Sequence, residues 1–292
     1  MPDGTAIPET PRVLQCMDVW SGNHSVEHET ATPGLELFVY SEPYDGAEGG
    51  GDVHYVSRCA GGSVTRMVVA DVSGHGTAVE QTSEMLRSLM RRYINAKTQK
   101  SLVRSLNREF TELTRVGRFA TAVIATYLNH RRRFSIVNAG HPRPLWRQAA
   151  TGKWSFIDQQ LVNLGTASNL PLGIDSDVAY QQFGIPVNDG DIVVFYTDAL
   201  IEATNPAGDL LGEEGLLKIA HKVALGSAAS VARSLKAGVR DFAGGAQSQD
   251  DVTILAIRFA AENKCRPTLL ERLGSMSRLI GLRGSSYATN ES

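Results

Sequence analysis

Hydrophobic and polar positions divide the chain into three zones. Up to residue 34 there is little apolar periodicity and Pro, Thr, Glu and His recur, which predicts a leader that is loosely ordered or lies over a domain. From Leu35, short segments rich in Val, Ile and Tyr predict strands: LELFVY, VHYVSRCA and VTRMVVAD, the last two forming a hairpin around Gly61-Gly62-Ser63. Val79, Met85, Leu86, Leu89, Met90, Tyr93 and Ile94 then recur near helical spacing, and Leu102, Val103, Leu106, Phe110 and Leu113 share one side of a second helix. FATAVIATYL and RFSIVNAG return to strands around the polar turn Asn129 to Arg132, followed by the shorter PLW and WSFI. DIVVFYTD is a strongly apolar strand, helices follow around Leu216 to Val223 and Val231 to Phe242, and DDVTILAIRF is the last strand.

Strands thus surround helix pairs without a regular βαβ alternation. That order predicts an α+β protein, a sandwich of two largely antiparallel sheets, and not a doubly wound parallel sheet. The expected domain spans residues 35–261. In the third zone, 262–292, Leu269, Leu270, Leu273, Met276 and Ile280 interleave with Arg266, Arg272, Arg278 and Arg283, predicting an amphipathic tail that packs on the domain, docks to a regulator or touches an anionic membrane.

Composition narrows the function classes. With 42% hydrophobic and 21% charged residues in 292, the bulk of the chain can bury a core. A net charge of -2, from 29 basic and 31 acidic residues, lacks the basic excess of a nucleic-acid binder. Cys16, Cys59 and Cys265 are too scattered for a disulfide framework or a metal pair, which suits a reducing cytoplasm. No apolar run reaches the roughly 18 residues of a membrane span, and MPDGTAIPETPR has no signal pattern, so a cytoplasmic location is expected.

The chemistry-bearing feature is the position of certain aspartates. Asp52 begins one strand of the predicted hairpin and Asp71 ends the other, so antiparallel pairing brings both to one sheet edge. Asp198 ends DIVVFYTD while Asp250 and Asp251 open VTILAIRF, an arrangement that repeats the pairing if those strands are neighbours. Converging carboxylates raise one another's pKa, and hard divalent cations such as Mg²⁺ or Mn²⁺ relieve the repulsion. The alternative for each aspartate singly is an Asx-type turn. His24-Ser25-Val26-Glu27-His28 has a zincin spelling but lies outside any helical pattern, and Gly49-Gly50-Gly51 lacks the ending of a phosphate loop.

Gly50-Gly51-Asp52, Ala70-Asp71-Val72-Ser73-Gly74-His75-Gly76, Phe119-Ala120-Thr121-Ala122, Asn138-Ala139-Gly140-His141-Pro142, Pro171-Leu172-Gly173, Tyr196-Thr197-Asp198 and Asp250-Asp251-Val252-Thr253 occur in the order seen in another group of proteins. Over about residues 35–260 the chain resembles the metal-dependent (PPM, type 2C) serine/threonine phosphatases, in particular the bacterial SpoIIE/RsbU-like branch. The resemblance implies an α-β-β-α sandwich with two Mn²⁺ or Mg²⁺ ions at one sheet edge. It places Asp52 as the bridging ligand, Asp71 and the Val72 carbonyl on one ion, and Asp198 and Asp250 on the other. It implies hydrolysis of phosphoserine or phosphothreonine by a metal-activated water, with substrates such as phosphorylated STAS-domain anti-anti-sigma factors in partner-switching pathways and a possible regulatory protein. The competing reading is a weakly catalytic or non-catalytic phosphoprotein-binding module on the same fold. His75 is either a proton donor to the leaving alkoxide or a loop-packing residue. Two positions depart from the pattern: Ala199 stands where the family usually has Gly, and Tyr55 where many relatives carry a further Asp.

Overall fold

The computed structural model describes residues 12–14, 19–59, 63–74, 76–93, 96, 98–114, 117–158, 170–223 and 226–261. His75, the expected tail 262–292 and the first eleven residues lie outside these.

Thirteen strands and four α-helices are described. The strands are β1 (Arg12–Val13), β2 (Val19–Gly22), β3 (Val26–Thr32), β4 (Leu35–Glu42), β5 (Asp52–Cys59), β6 (Val64–Val72), β7 (Ala120–Leu128), β8 (Arg133–Ala139), β9 (Leu145–Arg147), β10 (Trp154–Phe156), β11 (Phe183–Pro186), β12 (Ile192–Tyr196) and β13 (Val252–Phe259). The helices are α1 (Thr77–Arg92), α2 (Gln99–Leu113), α3 (Gly212–Ala220) and α4 (Ala228–Phe242). One sheet has the order β1-β3-β4-β13-β12-β9-β10 and the other β11-β8-β7-β6-β5-β2. Among the described strand pairings, only β1 with β3 is parallel.

Alternation along each strand builds the layers, because successive side chains face opposite sides of a sheet. Val193 and Phe195 of β12 point between the sheets, where they meet Val69, Val123, Phe134, Leu255 and Phe259. Ile192, Val194 and Tyr196 point outward beneath Leu216, Ala220, Val231 and Leu235 of α3 and α4. On the far side Val53, Tyr55, Val68 and Ile124 lie beneath Leu86, Leu89, Leu106 and Phe110 of α1 and α2. A strand covered on both faces is apolar throughout, which is why DIVVFYTD carries no alternation. Phe134 packs edge-on against Phe259 at 5.2 Å between the sheets. The result is the expected α-β-β-α sandwich.

The segment before Leu35, expected to be loosely ordered or to lie over the domain, contributes strands to both sheets. β2 pairs antiparallel with β5, and β3 with β4 over seven residues. VWSG and VEHETAT sit at or near sheet edges with a single buried face, so they carry few apolar residues and no run that periodicity can detect. The zincin spelling ends on β3, and so does not form a helical face. Among the described residues no helix is long and apolar enough to cross a membrane.

At the other end, Phe259 is fully buried and the Ala260 amide donates to Gly34 O at 3.0 Å. A chain ending at Ala261 is therefore expected to stay soluble and to unfold in one cooperative urea transition. Loss of that transition would make residues 262–292 part of the core.

Candidate active site

The hairpin delivers the first pair of carboxylates directly: Asp52 and Asp71 are Cα partners in the β5–β6 register. β12 and β13 are antiparallel neighbours in the other sheet, with Tyr196 opposite Ile254, so Asp198 and the Asp250-Asp251 pair emerge at the same end. Asp198 begins a single 3-10 turn, Asp198–Leu200, in which the Glu202 amide donates back to Asp198 O at 2.9 Å. Ala199 is 93% buried there without a positive φ, so the methyl group brings no backbone strain where relatives have Gly. Tyr55 faces the apolar layer under α1 and α2 and not the carboxylates.

Asp52 is the buried centre of the group, 3% exposed. Thr197 Oγ1 donates to its Oδ2 at 2.9 Å, and the Thr253 hydroxyl is a second partner. Thr197 Oγ1 in turn accepts the Thr253 amide at 2.9 Å, and Thr253 Oγ1 lies 2.9 Å from Ser41 Oγ. The threonines of Tyr196-Thr197-Asp198 and Asp251-Val252-Thr253 thus serve an aspartate on the opposite sheet. Sequence reading missed both, since nothing in their own segments points to Asp52.

Burial raises the Asp52 pKa well above the carboxylate range, with Asp71 and Asp251 adding to it against the two threonine bonds. Asp71 is pushed up to about 7, by burial first and then by Asp198, Asp250, Asp251 and Glu202. Burial also raises Asp198, helped by Glu202 and Asp250, and raises Asp250. Glu202 is a further acid at this edge that the sequence reading passed over; its only signal is the i+4 spacing from Asp198. None of these carboxylates pairs with a Lys or Arg among the described residues. Nor, among the described residues, are three His, Cys, Asp or Glu side chains gathered closely enough to hold an ion as they stand. The carboxylates share an edge and an uncompensated field, and mutual repulsion opposes closer approach. The donor chemistry, all oxygen and all acidic, fits hard divalent cations.

The remaining motifs support this edge. Thr121 is the register partner of Asp71, and its hydroxyl lies 2.9 Å from His141 Nδ1. Asn138 clasps His141 from both sides, Oδ1 accepting its amide and Nδ2 donating to its carbonyl, each at 2.8 Å. Leu172 bridges to Ala120, and the Gly173 amide donates to Asn107 Oδ1 at 3.0 Å. Gly173 has φ 90°, which favours glycine, and a Cβ there would stand only 3.1 Å from the Phe110 ring, so Pro171-Leu172-Gly173 is a structural clasp on α2.

Comparison with known proteins agrees with this architecture. The chain is 27% identical over 143 residues to the phosphoserine phosphatase RsbP of Bacillus subtilis, covering 47% of this chain and 33% of that protein. It is 26% identical over 196 residues to the phosphoserine phosphatase RsbU of Bacillus subtilis, covering 66% and 55%. It therefore spans from a third to just over half the length of these relatives. The crystal structure of the RsbU and RsbW domains of Rv1364c from Mycobacterium tuberculosis superposes with a TM-score of 0.66 at 24% identity, over 82% of this chain and 64% of that one. The catalytic domain of the serine/threonine protein phosphatase PstP in complex with two manganese ions shares the fold with a TM-score of 0.53 at 17% identity, over 77% and 98%. The family profile of stage II sporulation protein E (SpoIIE) matches residues 61–260, more than half of the chain, which therefore belongs to the SpoIIE/RsbU-like branch of the PPM (PP2C-type) phosphatase superfamily.

Proposed function

We propose that the chain is a metal-dependent phosphoserine/phosphothreonine protein phosphatase. Asp52, Asp71, the Val72 carbonyl, Asp198 and Asp250 would hold two Mn²⁺ or Mg²⁺ ions. The observation that carries the reading is the uncompensated acidic edge, where Asp71 is pushed up to about 7 and, among the described residues, no Lys or Arg pairs with it. Divalent ions supply Lewis acidity there, lowering the pKa of water and offsetting charge on a phosphoryl group. The protein's part is to orient and exclude. Two threonine hydroxyls fix Asp52, and ligands drawn from both sheets make site assembly depend on the sandwich closing correctly. His75 is proposed as a proton donor to the departing serine alkoxide.

The substrate we propose is a phosphorylated protein, with STAS-domain anti-anti-sigma factors the first candidates; the naming of two relatives as phosphoserine phosphatases supports this class. A site that grips only phosphate leaves selectivity to surrounding surface, so remote contacts can be used at the reacting centre. The test is hydrolysis of p-nitrophenyl phosphate and of a panel of phosphoproteins at one Mn²⁺ concentration. Expected are turnover abolished by EDTA and restored by Mn²⁺, and a higher kcat/KM on the right phosphoprotein. Chelator-resistant turnover would remove the metal reading, and phosphoprotein binding without hydrolysis would leave the binding module.

A further inference from the structure

The proposed ligand set uses Asp250 and leaves its neighbour Asp251 without a role, yet Asp251 is the more deeply engaged of the two. Its Oδ2 accepts the Gly51 amide at 2.5 Å and its Oδ1 accepts the Tyr44 amide at 2.6 Å. Both oxygens are therefore occupied by main chain that leads into Asp52. Gly50 lies under the carboxylate: a Cβ there would stand 2.4 Å from Oδ2 and 2.6 Å from Cγ. The rest of the loop is fastened within its own layer. The Gly50 amide donates to Asn23 O at 2.9 Å, and Gly51 O accepts from Ser83 Oγ at 3.0 Å and from the Val72 amide at 3.2 Å. Asp251 adds the tie that crosses from β13, in one sheet, to the entry of β5, in the other. Asp250, by contrast, has its Oδ1 engaged by the Asp251 amide, at 2.8 Å.

We infer that Asp251 is a positioning residue and not a metal ligand: its carboxylate straps the Gly49–Gly51 loop to β13 and so sets where Asp52 presents its oxygens. This rests on the metal-dependent reading above. It also gives Gly50 a reason, since any side chain there collides with the strap.

Two readouts on the full chain separate the strap from the metal reading. The first is amide hydrogen exchange at Tyr44 and Gly51 with EDTA present, and the second is Mn²⁺ affinity by titration calorimetry. Asp251→Ala is expected to speed exchange at both amides about tenfold or more while Ala70 and Ile124 keep their protection. It is also expected to weaken Mn²⁺ binding by about 10–100-fold, the usual effect of losing a residue that orients a ligand. Asp251→Asn retains one acceptor oxygen and should fall between the two. Gly50→Ala should imitate Asp251→Ala, and combining them should add little, because the collision vanishes with the carboxylate. Unchanged exchange at Tyr44 and Gly51 in a folded Asp251→Ala protein overturns the strap. So does loss of one bound Mn²⁺ with exchange unaltered, which would make Asp251 a ligand, and so does full additivity with Gly50→Ala. If the unsubstituted protein takes up no Mn²⁺, the metal reading falls and the exchange arm alone decides the strap. Should Asp251→Ala fail to fold, Asp251→Asn, of the same shape, carries both measurements.

Discussion

Asp52→Asn is expected to lower Mn²⁺-supported hydrolysis of p-nitrophenyl phosphate by about 10³-fold or more, and at the same time to make the metal-free protein more stable. The first effect follows from the proposed role: removing a bridging carboxylate weakens both ion sites, and a loss of about 4 kcal/mol in transition-state stabilisation is about three decades in rate. The second follows from the fold. Asp52 is 97% buried beside Asp71 and Asp251, so its charged form is opposed by desolvation and by both neighbours. An amide of the same shape keeps an oxygen for the Thr197 hydroxyl and removes the charge, for a gain of about 1 kcal/mol, a common trade between stability and activity at such sites. Urea midpoints in EDTA and kcat/KM at saturating Mn²⁺, taken on the same preparation, measure the two effects. Near-normal, chelator-resistant turnover would remove the dinuclear mechanism. A fall in metal-free stability would mean that the charge on Asp52 is stabilised by contacts other than the two threonines.

The parts of this site that were legible in the sequence are those fixed by local rules. A hairpin with a polar turn sets its own register, so the opposition of Asp52 and Asp71 could be read from VHYVSRCA and VTRMVVAD alone. Runs such as DIVVFYTD announced strands covered on both faces, and the helix pairs followed from their spacing. What escaped depends on how distant segments meet. Thr197, Thr253 and Asp251 act on the loop and strand carrying Asp52, about 145 to 200 residues away in sequence. Two adjacent aspartates are indistinguishable by local rules: the resemblance singles out Asp250, and the contacts at the β5 entry give Asp251 its separate place. β2 and β3 escaped for the opposite reason: with one buried face and several polar residues, each resembles a loop until a neighbouring strand supplies its hydrogen bonds.

Two buried histidines outside the carboxylate group are expected to cost the protein stability in acid, against the raised carboxylates, which add to it. His141 is 5% exposed and burial pushes it down to about 3, against a contact with the Tyr196 main chain. His54 is 2% exposed and is likewise pushed down to about 3, by burial first and then by the positive charges of Arg87 and His24. In the unfolded chain both titrate near 6.5. Between about pH 6.5 and 3 the unfolded state therefore binds more protons than the native state, so the stability these rings contribute is complete above about 6.5 and is lost as pH falls toward 3. At 1.36 kcal/mol per pH unit, lowering the pH from 7 to 5 costs about 2 kcal/mol for each ring, against a total stability of about 5–15 kcal/mol. Asp71 acts in the other direction. Its native value of about 7 lies above that of the unfolded chain, so the native state holds the extra proton and the Asp71 contribution is lost as pH rises from about 4 to 7. Urea unfolding in EDTA at pH 7 and pH 5 separates the two. Relative to the unsubstituted protein, the change in stability from pH 7 to pH 5 should become more favourable by about 2 kcal/mol in His141→Gln and again in His54→Gln, and less favourable in Asp71→Asn. An unchanged difference in His141→Gln would mean that the ring titrates normally in the folded protein.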